Sequence, residues 1–277
     1  MKLTPNIKQK YEKLQNIFKE MGRVILAYSG GVDSTLLLKV GTDILGQKNC
    51  IGVIGVSPSM AVDEYDESVN LARKIKARIE FVETDEMNNP AYLINDTKRC
   101  FYCKQELFSS LWKIATKQDI RFIVDGSNAD DQGDYRPGMD AARQLKVRSP
   151  LMEADFSKEE IRILSKYLNL PTWEKPAQPC LASRVAYGNT IDRNILSKID
   201  QSEKYLRDLG FKIVRVRYFT EKVSIEVGKD ELERLNNTGL RENIKNKLEA
   251  IGFENISFDE NGYESGKLNR LISIDAG

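Results

Sequence analysis

Val24-Ile25-Leu26-Ala27-Tyr28-Ser29-Gly30-Gly31-Val32-Asp33-Ser34-Thr35-Leu36-Leu37-Leu38-Lys39-Val40 reads as a strand, a glycine turn and a helix start in immediate succession. Such a turn aims backbone N–H groups and the positive end of a helix dipole at one point, which makes it a site for phosphate. The hydroxyls of Ser29 and Ser34 add donors there. No G-x-x-x-x-G-K-[ST] occurs, so no lysine inside the loop reaches toward a γ-phosphate. A glycine cradle without a lysine fits a pyrophosphate that leaves as one unit. The plainer alternative is a glycine turn before an ordinary helix.

Outward from this stretch, strand-like runs recur at 24–28, 51–56, 79–82 and 122–124, separated by helix-like stretches at 32–45, 61–76 and 103–118. An amphipathic segment with Ile7, Tyr11, Leu14 and Phe18 on one face precedes them. Alternation at this spacing predicts an α/β fold, a doubly wound parallel sheet with helices on both faces. In such sheets ligands collect at the carboxyl ends of the strands, where every loop named below leaves the sheet. Residues 170–179 carry Pro171, Pro176 and Pro179 and read as a linker or rigid crossing. Beyond it come a helix at 191–209, short alternating strands at 213–219 and 223–227, helices near 229–250 and a strand near 254–258. That pattern predicts a smaller α+β domain, with a nucleotide domain over 1–175 and a substrate or oligomerisation domain over 176–277.

The 277 residues carry 42 basic and 41 acidic side chains, without the basic excess of a wide nucleic-acid footprint. No basic-then-apolar opening and no apolar run near the ~20 residues of a membrane helix is visible. A soluble cytoplasmic protein, contacting neither membrane nor nucleic acid, is expected. Histidine is absent, which excludes a Ser-His or Cys-His pair and any imidazole metal ligand. Acid–base work would fall to Asp, Glu, Lys, Tyr or Cys, and positioning with charge stabilisation becomes the expected style of catalysis.

A second glycine-rich loop, Asp125-Gly126-Ser127-Asn128-Ala129-Asp130-Asp131-Gln132-Gly133-Asp134-Tyr135-Arg136-Pro137-Gly138, follows the run ending at Val124. Its aspartates suit Mg²⁺, a hard cation bound by oxygen alongside phosphates. Asp130, Asp131 and Asp134 are the candidate ligands, Gly126 a candidate nucleotide contact, and Arg136 a candidate phosphate contact. The alternative is a solvated Asn/Asp/Gly turn. Ser57-Pro58-Ser59-Met60 leaves the second strand at the same edge, where Ser57 and Met60 could meet adenine or simply make a turn.

Of the four cysteines, Cys50 begins the second strand and reads as a small core side chain at the amino edge. Cys100 and Cys103 form a C-x-x-C, and Cys180 lies downstream in Gln178-Pro179-Cys180-Leu181-Ala182-Ser183-Arg184. Three cysteines without histidine make a poor structural zinc site but suit a [4Fe–4S] cluster with one iron open to substrate or sulfide. A redox dithiol and unrelated thiols are the alternatives. Farther on, Arg215 and Arg217 alternate on one strand face, and Glu226 points away from the apolar side of the next strand. Paired arginines on a strand fit a carboxylate or phosphate. Glu203 falls near the edge of the apolar helical arc of Leu196, Ile199 and Leu206. Exposed strand charges and a snorkelled carboxylate are the plain alternative.

Ser29–Ser34 resembles the S-G-G-x-D-S PP-loop of the ATP pyrophosphatases, which activate a carbonyl oxygen by adenylation. Together with Asp125-Gly126 through Asp134-Tyr135-Arg136-Pro137-Gly138, Trp173 through Ser183-Arg184, Glu203-Lys204-Tyr205-Leu206-Arg207 and Val214-Arg215-Val216-Arg217, the chain resembles the LarE family of PP-loop sulfur transferases. The resemblance implies adenylation of a carboxylate of a pyridinium dicarboxylate mononucleotide by ATP. Sulfur then replaces AMP, on the route to a nickel-pincer nucleotide. It also implies phosphate contacts from Ser29, Gly30, Gly31, Val32, Asp33 and Ser34, and a substrate site at Arg184, Glu203, Arg215, Arg217 and Glu226.

In one branch of that family a cysteine at the Cys180 position gives up its own sulfur. Cys100 and Cys103 beside it resemble the cluster-bearing branch, with sulfide carried on the open iron. The expected partners are the mononucleotide, sulfide or a sulfur donor, and further copies of the chain. The rivals are sacrificial transfer from Cys180, tRNA 2-thiolation, an ammonia-using ligase of the NAD synthetase kind, and a non-enzymatic iron–sulfur module. Balanced charge and the lack of further C-x-x-C pairs stand against the tRNA reading.

Overall fold

The computed structural model describes residues 2–133, 137–220, 222–264 and 266–268. Val24–Ala27 (β1), Cys50–Val56 (β2), Arg78–Glu83 (β3) and Phe122–Val124 (β4) form a parallel sheet in the order β3-β2-β1-β4. β1 is buried throughout and β2 over its first five residues, as a parallel sheet covered on both faces requires. The chain steps outward from β1 to β2 to β3, then returns to the other side of β1 for β4. The strand order therefore reverses between β1 and β4, and the crevice at their carboxyl ends is where such folds bind ligands.

Helices Val32–Leu45, Val62–Lys74 and Arg99–Lys117 follow β1, β2 and β3, close to the expected spans. The first is buried over most of its surface, with Leu36, Leu37, Leu38 and Val40 inside, as befits a helix packed from several sides. Phe108, Leu111 and Ala115 of the third pack with Ile25, Ala27, Ile51, Val53 and Ile123 of the sheet. That helix starts four residues before its expected start, so Cys100 lies in its first turn and Cys103 one turn further on. The Lys158–Tyr167 helix is an element that the apolar pattern did not reveal, although its capping box is explicit. Ser157 Oγ accepts from the Glu160 N–H, and Glu160 reaches back to the Ser157 N–H. No helix among the described residues is long and apolar enough to cross a membrane.

The chain divides into two compact units. One comprises Met1–Ser57, Asp63–Glu86 and Cys100–Gln178; the other comprises Pro58–Val62, Met87–Arg99 and Pro179–Gly277. The second unit holds Val214–Phe219 (β5), Lys222–Val227 (β6) and Ile256–Phe258 (β7), with β5 antiparallel and β7 parallel to β6. The helix Arg193–Asp208 buries Leu196, Ile199 and Leu206, and Glu203 is buried with them.

Glu203 is tied on all sides. Arg184 Nε and Nη2 each donate to its carboxylate at 2.9 Å, and the Val216 N–H donates at 3.0 Å. Burial alone would push its pKa up. The Arg184 charge and hydrogen bonds, the Val216 N–H and the Arg215 charge more than offset this, so it lies below the ordinary carboxylate range. One fork thus joins a helix, a strand and the segment after Cys180. Losing one partner of a buried pair strands the other charge, so Arg184→Ala should lower unfolding stability by about 3–5 kcal/mol in urea titrations. Because the folded pKa is depressed, the contribution is present above the unfolded value near 4.5 and is lost as pH falls through the folded one. Acid titration of Glu203→Gln should therefore show a shallower loss of stability in that window than the unmodified protein.

Candidate functional site

The turn after β1 is shaped by a close approach. Gly30 has φ +68°, and a Cβ on it would lie 1.9 Å from Ser68 Oγ. Only glycine meets both conditions. Ser68 Oγ bonds the Ser29 and Glu64 carbonyls, and Tyr28 donates its hydroxyl to the Ser68 carbonyl at 3.2 Å. Burial pushes the Tyr28 pKa up to about 12, so it stays a neutral donor.

Gly31 then caps the Val32–Leu45 helix with no side-chain acceptor, and Thr35 is the first to donate back, to the Gly31 carbonyl at 3.0 Å. The N–H groups of Val32, Asp33 and Ser34 thus have no helical carbonyl to meet. Ser29 and Ser34 hydroxyls sit 3.1 Å apart at the same end. An uncapped helix N-terminus with two hydroxyls, at the reversal of strand order, offers the kind of donors that receive an anion.

The loop after β4 leans on this turn. A Cβ on Gly126 would come within 3.2 Å of Asp33 Cβ and 3.3 Å of Ser34 N, so glycine lets the two loops touch. Its aspartates largely serve the backbone. Asp125 accepts from the Ser127 N–H and hydroxyl and the Ser149 hydroxyl, Asp131 from the Asn128 N–H, and Asp130 from the Lys158 N–H at 2.8 Å. These bonds give the aspartates the Asx-turn role. Asp134 and Arg136 lie outside the described residues.

Among the described residues no group of three or more Cys, Asp or Glu side chains is gathered closely enough to hold a metal ion. Asp33 nevertheless fits a hard cation. Its Oδ1 is buried without a hydrogen-bond partner, while Oδ2 takes the Lys158 ammonium at 2.5 Å. Mg²⁺ needs only one or two carboxylates when substrate phosphates and water complete its shell.

Two lysines the sequence reading passed over reach the turn. Lys158 begins the capped helix, and Lys175, in the proline-rich segment, donates to the Gly30 carbonyl at 3.2 Å and to Glu67 at 2.9 Å. The Ser157-x-x-Glu160 box was the available signal for the first; local sequence holds none for the second. Ser57, half-buried, ends the β2 side of its unit. Met60, half-buried, belongs to the other unit, where Ser59 meets the Tyr92 hydroxyl at 2.6 Å and the Leu181 N–H.

No disulfide engages the cysteines. Cys50, at the amino end of β2 opposite Val24, is buried, and burial pushes its pKa up to about 12. Cys100, exposed, and Cys103, half-buried, are separated by three positions on the Arg99–Lys117 helix and so share a face. Cys180 is half-buried and precedes the short 3₁₀ turn Leu181–Arg184.

In the second unit the charged residues are buried, which overturns the exposed-charge alternative. Arg184, Glu203, Arg215, Arg217 and Glu226 all lie at 6% exposure or less. β5 and β6 pair as a hairpin with Arg215 opposite Glu226. Arg217 binds Glu226 at 3.2 Å and the Ser183 carbonyl at 3.0 Å, and Lys267 joins Glu226 at 3.3 Å. Burial, then the like charge of Arg184, holds Arg215 below the usual arginine range, with the Tyr263 ring 5.1 Å from its guanidinium. These five buried side chains comprise three cations and two anions, an imbalance that favours an anionic ligand.

No family model matches the chain. It is 41% identical over 268 residues to an uncharacterized protein of Synechocystis sp., covering 96% of this chain and 99% of that one. It is 33% identical over 255 residues to the pyridinium-3,5-bisthiocarboxylic acid mononucleotide synthase of Lactiplantibacillus plantarum, covering 92% of each. It is 28% identical over 265 residues to one component of the glutamine-hydrolysing GMP synthase of Sulfurisphaera tokodaii, covering 84% of this chain and 70% of that one. With the PP-loop turn built on a parallel sheet and a relative that spans both chains almost end to end, the protein is an ATP-dependent enzyme that belongs to the LarE family.

Proposed function

We propose that the protein adenylates a carboxylate of a pyridinium dicarboxylate mononucleotide with ATP and replaces AMP by sulfur, for synthesis of a nickel-pincer nucleotide. The observation that carries this reading is the open, glycine-shaped N-terminus of the Val32–Leu45 helix at the strand-order reversal. The relation to the L. plantarum synthase supplies the substrate class. Residues 1–175 would serve ATP and 176–277 the mononucleotide.

In the first step a substrate carboxylate oxygen bonds the α-phosphorus and the bond to the bridging oxygen breaks. Its electron pair leaves with pyrophosphate, and no proton moves. Helix N–H groups with the Ser29 and Ser34 hydroxyls receive that charge. Mg²⁺ would be held by Asp33 and the nucleotide phosphates, with Asp130 and Asp131 as further candidates, and supplies a counter-charge. Ser57, Met60 and Gly126 would border the nucleotide. Arg215 and Arg217, positioned by Glu226, and Arg184, positioned by Glu203, would bind the anionic groups of the mononucleotide.

In chemical type the thiols suit a [4Fe–4S] cluster, with a soft ligand pair on one helix face, a third cysteine and no histidine, although the three are not gathered around one point in this structure. Cys100, Cys103 and Cys180 would hold it, and it would supply an open iron that carries sulfide to the acyl-adenylate.

ATP turnover with the mononucleotide should yield AMP and pyrophosphate, and release of ADP would overturn the reading. Asp33→Ala and Ser34→Ala should each lower ATP–pyrophosphate exchange by roughly 10²-fold or more without unfolding the protein, as expected for lost transition-state contacts. Arg215→Ala and Arg217→Ala should weaken binding of the mononucleotide by about 1.5–3 kcal/mol, the range of charge-assisted hydrogen bonds, and leave ATP binding unchanged in calorimetry. In anaerobic preparations Cys100→Ala, Cys103→Ala and Cys180→Ala should each lose iron, brown absorbance and sulfur transfer yet keep exchange, whereas Cys50→Ala keeps all of them. A single-turnover burst that leaves Cys180 lighter by the mass of hydrogen sulfide would establish sacrificial transfer instead.

A further inference from the structure

The PP-loop has no lysine of its own, yet an ammonium sits on it. Lys158 Nζ lies 2.5 Å from Asp33 Oδ2, 125 residues away in sequence, and the same residue's N–H lies 2.8 Å from Asp130 Oδ2. One residue thus spans the turn after β1 and the loop after β4, the two sides of the ligand crevice.

Its mount is rigid. Lys158 is the first residue of a ten-residue helix closed by a capping box. Glu160 in that box is anchored by Lys10 at 2.8 Å and Asn6 at 2.9 Å. The Phe156 carbonyl accepts the Ala129 N–H at 2.9 Å, fastening the segment before the helix to the loop after β4. The side chain itself is 37% exposed, so it has room to turn from Asp33 toward a ligand. Such fastening of a surface lysine is more than an Asp33 ion pair requires, since partly exposed pairs contribute little stability.

Electrostatics gives the position a task. A polyphosphate approaching the helix N-terminus meets the Asp33 carboxylate, whose Oδ1 is buried without a partner. A cation is needed there, and it must be released to the departing pyrophosphate as charge builds on it. Taking ATP as the bound nucleotide, as proposed above, we infer that Lys158 is the phosphate-binding lysine of this site: its ammonium rests on Asp33 in the empty loop and transfers to the β- and γ-phosphates when ATP binds. The PP-loop thereby obtains from a separate helix the charge that a P-loop carries within itself.

Calorimetry with inorganic pyrophosphate and with AMP, on the full chain, tests this. Lys158→Gln should weaken pyrophosphate at least about tenfold and leave AMP unchanged, as for loss of one charge-assisted contact. Lys158→Arg should restore most of the loss, and Lys166→Gln, an exposed position on the same helix, should bind both ligands as the unmodified protein does. In magnesium-free buffer Asp33→Asn breaks the same ion pair but should bind pyrophosphate at least as tightly as the unmodified protein, because Lys158 is released. If Asp33→Asn and Lys158→Gln weaken pyrophosphate alike, the pair is merely structural and the inference fails. Equal pyrophosphate affinity in Lys158→Gln and unmodified protein also overturns it, while leaving adenylation intact. Unmodified protein that binds neither ATP nor pyrophosphate overturns both.

Discussion

Between β1 and the Val32–Leu45 helix the backbone passes so near Ser68 that no side chain fits on Gly30, and the passage demands a left-handed φ as well. From that constraint the rest of the first unit follows. The tight turn delivers the chain into the helix with Gly31 as a cap that offers no acceptor, so first-turn N–H groups remain for a ligand. The helix must then be gripped from several sides, which its buried Leu36, Leu37 and Leu38 allow. Glycine at position 126 lets the β4 loop close against the same turn. A bulkier residue at either glycine would separate elements whose proximity is the site.

The second unit solves a different problem, how to keep charge inside a small sheet. Glu203 holds Arg184 in a two-bond fork and Glu226 holds Arg217 by its Nε, rather than leaving either to solvent. Buried ion pairs stabilise little in themselves, because desolvation offsets attraction. What they give is direction: guanidinium groups whose planes are set before a ligand arrives lose little freedom on binding it. The surplus cation among them leaves the cluster incomplete in the electrostatic sense. Burial and the like charge of Arg184 hold Arg215 below its usual range, a shift that a neighbouring anion would oppose.

Much of the first unit could be read directly because β1, β2 and β4 are short runs free of charged residues and the turn after β1 has almost no alternative residue choice. The Val32–Leu45 helix was expected at the same bounds, and the β5–β6 hairpin within a residue. Lys158 was illegible for a physical reason: its partners are 125 and 28 residues away, and only the packed fold makes them neighbours. The segment around its helix is rich in charge, so hydrophobic period gave little, and the cap alone announced it. The burial of Arg184, Arg215 and Arg217 was equally hidden, since alternation on a strand tells which residues share a face but not whether that face is covered.

In the proposed reaction a chain without histidine performs acyl transfer by other means, and the buried and looped charges of the two units suggest how. Adenylation by a carboxylate releases no proton, so it needs no base, only donors and cations where negative charge accumulates. AMP is likewise an adequate leaving group without an acid. The remaining requirement is that anions be received without leaving buried cations bare in the empty enzyme. Both units meet it in the same way. Lys158 rests on Asp33, and Arg217 on Glu226, and in the proposed reaction each carboxylate holds the place that a phosphate or carboxylate of the ligand would take. Exchange of one oxyanion for another costs far less than desolvating a hydrated cation at the moment of binding. On the proposed reading, carboxylate–cation pairs at the two sites would take the part that a titratable imidazole plays in many transferases.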